Sequence, residues 1–455
     1  MRAAELGAAR VAIWGLGREG RAAIGFLRER HPRLPLLLLD DAEDAEAPPE
    51  VEDIGCAFGA DAIARALGEI DLIVKSPGVS LYRGEIRTAR RNGAKVTSLL
   101  NLWFAERAEV TTVCVTGSKG KSTTSSLIAH ILTKLGREVA LVGNIGVPIT
   151  EIDPMKTRYA VIEVSSYQAA DFDGLCDIAV LTSLFPEHID WHGTLAAYYR
   201  DKLNLLHHAR HAVLNRQAAF ALGDCVATSP PPPDFFNSEN GVHWCGSEIF
   251  DGEKRVGAVG SRYLTRPHNM SNLCAALTAA KLLGIEPAAA LDAADGFVGL
   301  PHRQQELGEI GGVVFVDDSI STAPESTIAA LSVFRGRHIT VIVGGYDRGI
   351  DYGKLISTLA QGAARTVICL GASGERIHRG LLCAKKNQPE SALTAYRAQS
   401  MAEAVAHAKK TTPPGGVVLL SPAAPSYGHY HDFAERGEDF AVKAGLPAQG
   451  AAAAQ

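Results

Sequence analysis

The chain lacks cysteines paired at metal or redox spacing, any long apolar run, and a large excess of charge of either sign. Its eight cysteines, Cys56, Cys114, Cys176, Cys225, Cys245, Cys274, Cys369 and Cys383, never stand as C-x-x-C. That excludes a zinc ribbon or a thioredoxin-type site, and scattered thiols fit a reducing compartment. Cys114 and Cys369 fall in apolar, strand-like runs, where a thiol behaves as a small hydrophobe. No apolar stretch approaches the roughly 20 residues that span a bilayer. The N-terminus, MRAAELGAARVAIWGLG, meets glycines before a signal-peptide core of adequate length. With 45 Lys+Arg against 50 Asp+Glu, the net charge of −5 predicts no broad nucleic-acid or membrane footprint. The expectation is a cytoplasmic protein.

Hydrophobic residues make up 46% and charged residues 21% of the 455 residues, an ordinary balance for a folded protein. Disordered, collagenous and small disulfide-scaffold classes are excluded, and the length suggests about three domains. Short apolar runs at 11–15, 35–40, 71–75, 110–116, 159–164, 178–184, 313–316, 340–344, 367–370 and 416–420 alternate with Ala- and Leu-rich helical stretches. This predicts an α/β fold with buried, mostly parallel sheets. Joints near 105 and 300 give expected domains of 1–105, 106–300 and 301–455. The four prolines 230–233 predict a surface loop, and the alanine-rich tail 450–455 a frayed end.

Three strand–glycine-loop–helix openings carry the chemistry. The first, Gly15-Leu16-Gly17-Arg18-Glu19-Gly20, matches G-x-G-x-x-G, and Asp40 stands 20 residues beyond its last glycine. Its glycines permit a tight turn that seats a diphosphate on the helix N-terminus. NAD(P), FAD or another nucleotide all suit this geometry, with Asp40 or Asp41 available to a sugar or base. Ser76-Pro77-Gly78 is a second turn at the same sheet edge.

The second opening is Thr116-Gly117-Ser118-Lys119-Gly120-Lys121-Ser122-Thr123, after an apolar strand and before a helix. The full P-loop pattern wants a glycine where Val115 stands, and what remains is G-x-x-G-K-S. Backbone N–H groups of such a loop cradle phosphates. Lys121 supplies a point charge, and the Ser122 hydroxyl can ligate Mg²⁺. Glu163, at a strand end, is a natural hard ligand beside such a serine. His188 and His192 alone do not complete a zinc site.

This loop resembles the ATP-binding loop of the Mur ligase family, the amide-forming enzymes that build the peptidoglycan stem peptide. Further motifs follow in family order: Gly143-Asn144-Ile145-Gly146, Glu163-Val164-Ser165-Ser166-Tyr167-Gln168, Pro186-Glu187-His188-Ile189-Asp190, Tyr198-Tyr199-Arg200-Asp201-Lys202, His268-Asn269-Met270-Ser271-Asn272, Pro301-His302-Arg303, Asp317-Asp318-Ser319 and Gly344-Gly345-Tyr346-Asp347-Arg348-Gly349. The resemblance spans residues 10–443. It implies three domains: a Rossmann-like domain for UDP, a central P-loop ATPase domain and a C-terminal Rossmann-like domain.

It also implies roles. Lys121, Glu163, His188 and Lys202 would be catalytic. Ser122, Glu163, His188 and a CO₂-carbamylated Lys202 would hold magnesium. ATP would meet Gly117, Ser118, Lys119, Gly120, Lys121, Ser122, Thr123, Asn269, Asn272, Arg303 and Asp318. The UDP-linked acceptor would meet Gly15, Leu16, Gly17, Asp40, Asp41, Ser76, Gly78 and Asn144. Thr322, Arg348, Ser426, Tyr427 and Phe433 would line a glutamate pocket. The implied reaction adds glutamate to UDP-N-acetylmuramoyl-L-alanine through an acyl phosphate, with ATP as co-substrate and a monomeric enzyme.

The pattern breaks only around that last pocket. Ile320 replaces a lysine and Ala323 an asparagine, while Pro425 replaces an alanine and Gly428 an acidic residue. A branch of the family adds L-glutamate and leaves inversion to an epimerase. The localised changes favour that branch over D-glutamate addition. Folylpolyglutamate synthase shares the central domain but has no comparable UDP domain. A dehydrogenase would use the first loop and leave Lys121 and Glu163 unexplained. A non-catalytic nucleotide-binding protein is disfavoured by intact Lys121, Ser122, Glu163 and Lys202.

Overall fold

A computed structural model describes residues 6, 9–43, 45, 54–107, 109–145, 147–218, 232–261, 263–387 and 393–447. Gly146, Cys225, the first half of the four-proline run and the alanine tail lie outside them. The chain divides into two compact units, Met1–Phe297 and Val298–Gln455.

The first unit holds two parallel sheets. One runs in the order Gly55–Phe58, Leu36–Asp40, Val11–Trp14, Leu72–Lys75, Lys95–Thr97. The other runs Asp234–Phe236, Ala209–Asn215, Cys176–Leu181, Thr111–Thr116, Tyr159–Glu163, Val139–Gly143. Their central strands are apolar and β-branched and are covered on both faces, as parallel sheets require. Leu127, Ile131 and Leu132 of the helix Lys121–Lys134 pack in one core with Met270, Leu273 and Leu277 of the helix Pro267–Leu282. An antiparallel meander, Val242–Cys245, Glu248–Asp251 and Lys254–Ala258, adds a sheet that the apolar-run reading did not anticipate.

In the second unit the order is Gln305–Ile310, Val313–Asp317, Val417–Leu420, Ile339–Gly344, Thr366–Leu370, Thr394–Arg397. Only the first pair is antiparallel. Gly311 and Gly312 join that pair with φ of 59° and 78°, the two positive values a tight hairpin needs. Leu331, Leu355 and Ile377 cover one face of the sheet, and Met401, Val405 and Phe440 the other.

The three glycine loops, at 15–20, 117–122 and 344–349, leave carboxyl ends of parallel strands, where open α/β sheets collect ligands. Each strand read from an apolar run is present, with ends moved by one to three residues. Among the described residues no helix is long and apolar enough to cross a membrane.

Candidate active site

The phosphate loop is held by its neighbours. Gly117 has φ 149°, and a Cβ there would fall 2.0 Å from Thr182 Oγ1. A Cβ on Gly120 (φ 86°) would fall 2.4 Å from Asn272 Oδ1, so both positions demand glycine. The Ser118 N–H donates to Ser183 O (2.9 Å) and the Lys119 N–H to Ser183 Oγ (2.8 Å). Thr182 Oγ1 donates to Lys119 O at 2.6 Å, and the Ser118 hydroxyl meets Tyr198 Oη at 2.7 Å.

Two lysines converge on this loop. Lys121 Nζ donates to Gly117 O (2.8 Å) and Ser118 O (3.1 Å), and Lys202 Nζ reaches the same Gly117 O at 2.9 Å. Lys202 is 1% exposed. Burial, and next the nearby Lys121 charge, push its amine well below the usual lysine range. A neutral amine has the lone pair that CO₂ requires.

Glu163 ends its strand 2% exposed. Its Oε1 accepts from Asn144 Nδ2 at 2.7 Å, while Oε2 is buried without a hydrogen-bond partner. An unpartnered buried carboxylate oxygen calls for an explanation, and a hard cation supplies one. Together with the buried Ser122, at the first turn of its helix, the donors fit Mg²⁺. Among the described residues no group of three or more His, Cys, Asp or Glu side chains is arranged for a metal. A carbamate on Lys202 would add the missing oxygens.

His188 takes φ 54°, the left-handed region, and its Nδ1 lies 2.9 Å from Tyr167 Oη. Burial lowers its pKa, which keeps a nitrogen lone pair available. Asn269 and Asn272 are buried and engaged within the protein. Asn269 Nδ2 donates to Tyr263 O (2.8 Å) and Asn272 Nδ2 to Asn269 Oδ1 (3.3 Å). Thr123 is buried in the first turn of the loop helix, and its neighbour Thr124 donates from Oγ1 to Asn272 Oδ1 at 3.3 Å.

In the first glycine loop, the Ser76 hydroxyl donates to Gly15 O at 2.7 Å. A Cβ on Gly20 would fall 1.9 Å from Gly15 O, so a side chain there would break the turn. Asp40 shapes the loop: its Oδ2 accepts from Leu16 N (2.8 Å) and its Oδ1 from Ala42 N (3.1 Å). Asp41 pairs with Arg83 at 2.6 Å. Gly17 caps the helix Arg18–Arg30, and Gly78 O accepts from Trp191 Nε1 at 3.2 Å. Burial pushes the Glu19 carboxyl up to about 7, and Gln168 Nε2 donates to it.

In the second unit, Arg303 Nε is buried without a hydrogen-bond partner. Asp318 is 2% exposed, accepts from Ser321 (2.6 Å), Ser421 (2.7 Å) and Gln304 N (3.2 Å), and is pushed up to about 6 by burial. His302 and Gln304 flank Arg303 with φ of 60° and 46°; such strain clusters at functional sites. Arg348 Nη2 donates to Thr322 O at 2.9 Å, which joins two residues of the expected glutamate pocket. Ser426 is buried, and Tyr427 stands exposed, edge-on to Tyr346. Phe433 instead sets its edge against His302, at 6.0 Å between ring centres.

Sequence reasoning missed several groups. Tyr82, Trp191 and Asp201 join the turn after Gly78 to the helix that bears Lys202. The buried Arg436 donates to Ser319 Oγ (2.9 Å), Ser319 O (2.8 Å) and Ala424 O (3.0 Å). The signal for Arg436 lay in Glu435-Arg436-Gly437. The others are ordinary residues until the fold brings them together.

Three family models match the chain: the Mur ligase MurD-like N-terminal domain over residues 9–98, the Mur ligase middle domain over 115–228, and the Mur ligase glutamate ligase domain over 302–424. A UDP-N-acetylmuramoyl-L-alanine–L-glutamate ligase of Xanthomonas axonopodis pv. citri is 40% identical, covering 98% of this chain and 97% of that one. Its namesake from a Micromonospora species is 40% identical, covering 97% of each chain. Among solved structures, a UDP-N-acetylmuramate-alanine ligase of Thermotoga maritima is similar in fold, with a TM-score of 0.54 and 19% identity, covering 96% of this chain and 99% of that one. Loops, strand order and whole-length similarity agree that the chain belongs to the Mur ligase family of ATP-dependent amide ligases.

Proposed function

We propose that the protein joins L-glutamate to UDP-N-acetylmuramoyl-L-alanine, driven by ATP, as a cytoplasmic, monomeric, Mg²⁺-dependent step of peptidoglycan precursor synthesis. The observation that carries this reading is the phosphate loop with Lys121 and Lys202 on one carbonyl, in a chain that also carries the unpartnered oxygen of Glu163.

In the reaction the alanyl carboxylate attacks the γ-phosphorus and ADP leaves. The glutamate amine then attacks the acyl carbon, phosphate departs and the amine loses a proton. A carboxylate approaching a polyanion needs charge neutralisation and in-line placement. Lys121 supplies a fixed charge beside the loop N–H groups. The Lys202 amine takes up CO₂, loses a proton and becomes a carbamate anion. Ser122, Glu163, His188 and that carbamate would hold Mg²⁺, which when bound neutralises phosphate charge. Arg303 is the second unit's cation for nucleotide, and Arg348 its cation for the incoming amino acid. Gly15, Gly17 and Ser76 hold the UDP-linked acceptor.

The L-enantiomer is favoured by two lines of support. The relatives from Xanthomonas axonopodis pv. citri and from the Micromonospora species, each covered to 97%, are named as L-glutamate ligases. The departures Ile320, Ala323, Pro425 and Gly428 fall in the two sequence segments, around Thr322 and Ser426, that the family resemblance assigns to the incoming glutamate. D-glutamate addition is the alternative reading, and the L reading calls for a separate epimerase acting on the product. A dehydrogenase finds no support, since the matching family models are all Mur ligase domains and the relatives compared over nearly the whole chain are named as ligases.

The acyl-phosphate route has a direct test. With ¹⁸O in the alanyl carboxylate, one labelled oxygen is expected in the released phosphate. Unlabelled phosphate accompanied by labelled amide product and water would overturn the route.

A further inference from the structure

Asp201 precedes Lys202 on the helix Leu195–His207 and is 4% exposed. Its carboxylate gathers three segments of the first unit. Tyr82 Oη lies 2.8 Å from both oxygens, and Arg200 Nη2, at 3.3 Å from Oδ1, also donates to that hydroxyl at 2.6 Å. His192 Nδ1 lies 2.7 Å from Oδ2, and the same ring carries the connection on through Nε2, 3.1 Å from the Ser166 hydroxyl. Ser166 lies three residues beyond Glu163, and His192 four beyond His188.

The same segments meet a second time. Trp191 Nε1 donates to Pro77 O (3.1 Å) and Gly78 O (3.2 Å), and the Ser80 hydroxyl donates to Trp191 O at 2.8 Å. Tyr167 stacks on Trp191 with ring centres 4.6 Å apart while it contacts His188. The turn 76–82 is therefore pinned to the strand ends and helices that carry Glu163, His188 and Lys202. A buried carboxylate is costly to place, and nothing in the chemistry above uses this one.

We propose that Asp201 is a positioning residue: it couples the turn 76–82, where the UDP-linked acceptor binds, to the groups that hold magnesium. Acceptor seated on that turn then fixes the side chains that act on its own carboxylate, through Tyr82 on one side and His192 on the other. This rests on the acceptor reading given above. It adds that the acceptor end and the nucleotide end of the first unit are joined through one carboxylate.

The test uses the full-length protein, with calorimetric binding of UDP-N-acetylmuramoyl-L-alanine and of ADP–Mg²⁺, alongside turnover and thermal midpoint. Tyr82→Phe removes a single hydroxyl and is expected to weaken acceptor binding about tenfold, since the lost bond is to a charged group. ADP–Mg²⁺ affinity should stay at the wild-type value, and the thermal midpoint should fall by no more than a few degrees. Asp201→Asn should weaken acceptor binding and lower turnover, and adding Tyr82→Phe to it should change acceptor affinity little further. Acceptor affinity within twofold of wild type in Tyr82→Phe would overturn the coupling, as would full additivity of the two changes. Should Asp201→Asn fail to fold, Tyr82→Phe alone decides. Wild-type protein that binds no acceptor would instead sink the acceptor reading, so the two failures are distinguishable.

Discussion

Replacing Lys202 by alanine is expected to lower turnover about a thousandfold, and formate or acetate is expected to restore part of the loss. The magnitude follows from metal-ligand chemistry, in which a bound cation supplies several kcal/mol of charge stabilisation. The case for this residue is its setting. An ordinary helical lysine is solvated and protonated. Lys202 is 1% exposed, lies on the same carbonyl as Lys121, and has its pKa pushed far down by burial. On that carbonyl an ammonium at Lys202 would face the repulsion of the Lys121 charge, which with burial disfavours protonation of the Lys202 amine. A carbamate on Lys202 turns that repulsion into attraction and adds two oxygens near Glu163. Alanine leaves room for a small carboxylate to stand in for the carbamate. Turnover close to wild type in Lys202→Ala, or a deficit that no carboxylate relieves, would contradict the carbamate.

Glu163→Gln is the second large effect, an expected loss of turnover of about a hundredfold to a thousandfold. The exchange keeps the shape and one acceptor. Asn144 Nδ2 can still donate to the retained carbonyl oxygen, as it does to Oε1 at 2.7 Å. What is lost is the charge at the oxygen that has no protein partner. Folding should therefore survive, with a thermal midpoint near wild type and a raised Mg²⁺ requirement. A matching fall in stability and activity would mean that Glu163 is a structural carboxylate.

The parts of the site that act through local pattern were legible in the sequence. Gly117 to Ser122 follow a buried strand, and burial on both faces makes such a strand an unbroken apolar run. Glu163 and Asp317 stand at strand ends for the same reason. Edge strands escaped because they are short and half exposed. Gly55–Phe58, with no buried residue, reads as loop, as do Lys95–Thr97 and Thr394–Arg397. The meander from Val242 to Ala258 has no long apolar run either.

Lys202 is a different kind of difficulty. Nothing in Arg200-Asp201-Lys202-Leu203 says which side faces the phosphate loop. Tyr82 and Asp201 are 119 residues apart and meet only after two sheets have formed. Long-range placement of common residue types leaves no periodic trace. The resemblance to a family marked Lys202 by its motif position, whereas Asp201 and Trp191, which stand in or next to the same motifs, received no role from it.

The central claim is ATP-driven addition of L-glutamate to the UDP-linked acceptor. It is tested most directly by phosphate release in parallel reactions of protein, ATP, Mg²⁺ and UDP-N-acetylmuramoyl-L-alanine with each glutamate enantiomer. Phosphate released in step with product from L-glutamate, and at background from D-glutamate, is the predicted result. Release with D-glutamate and none with L-glutamate would contradict it.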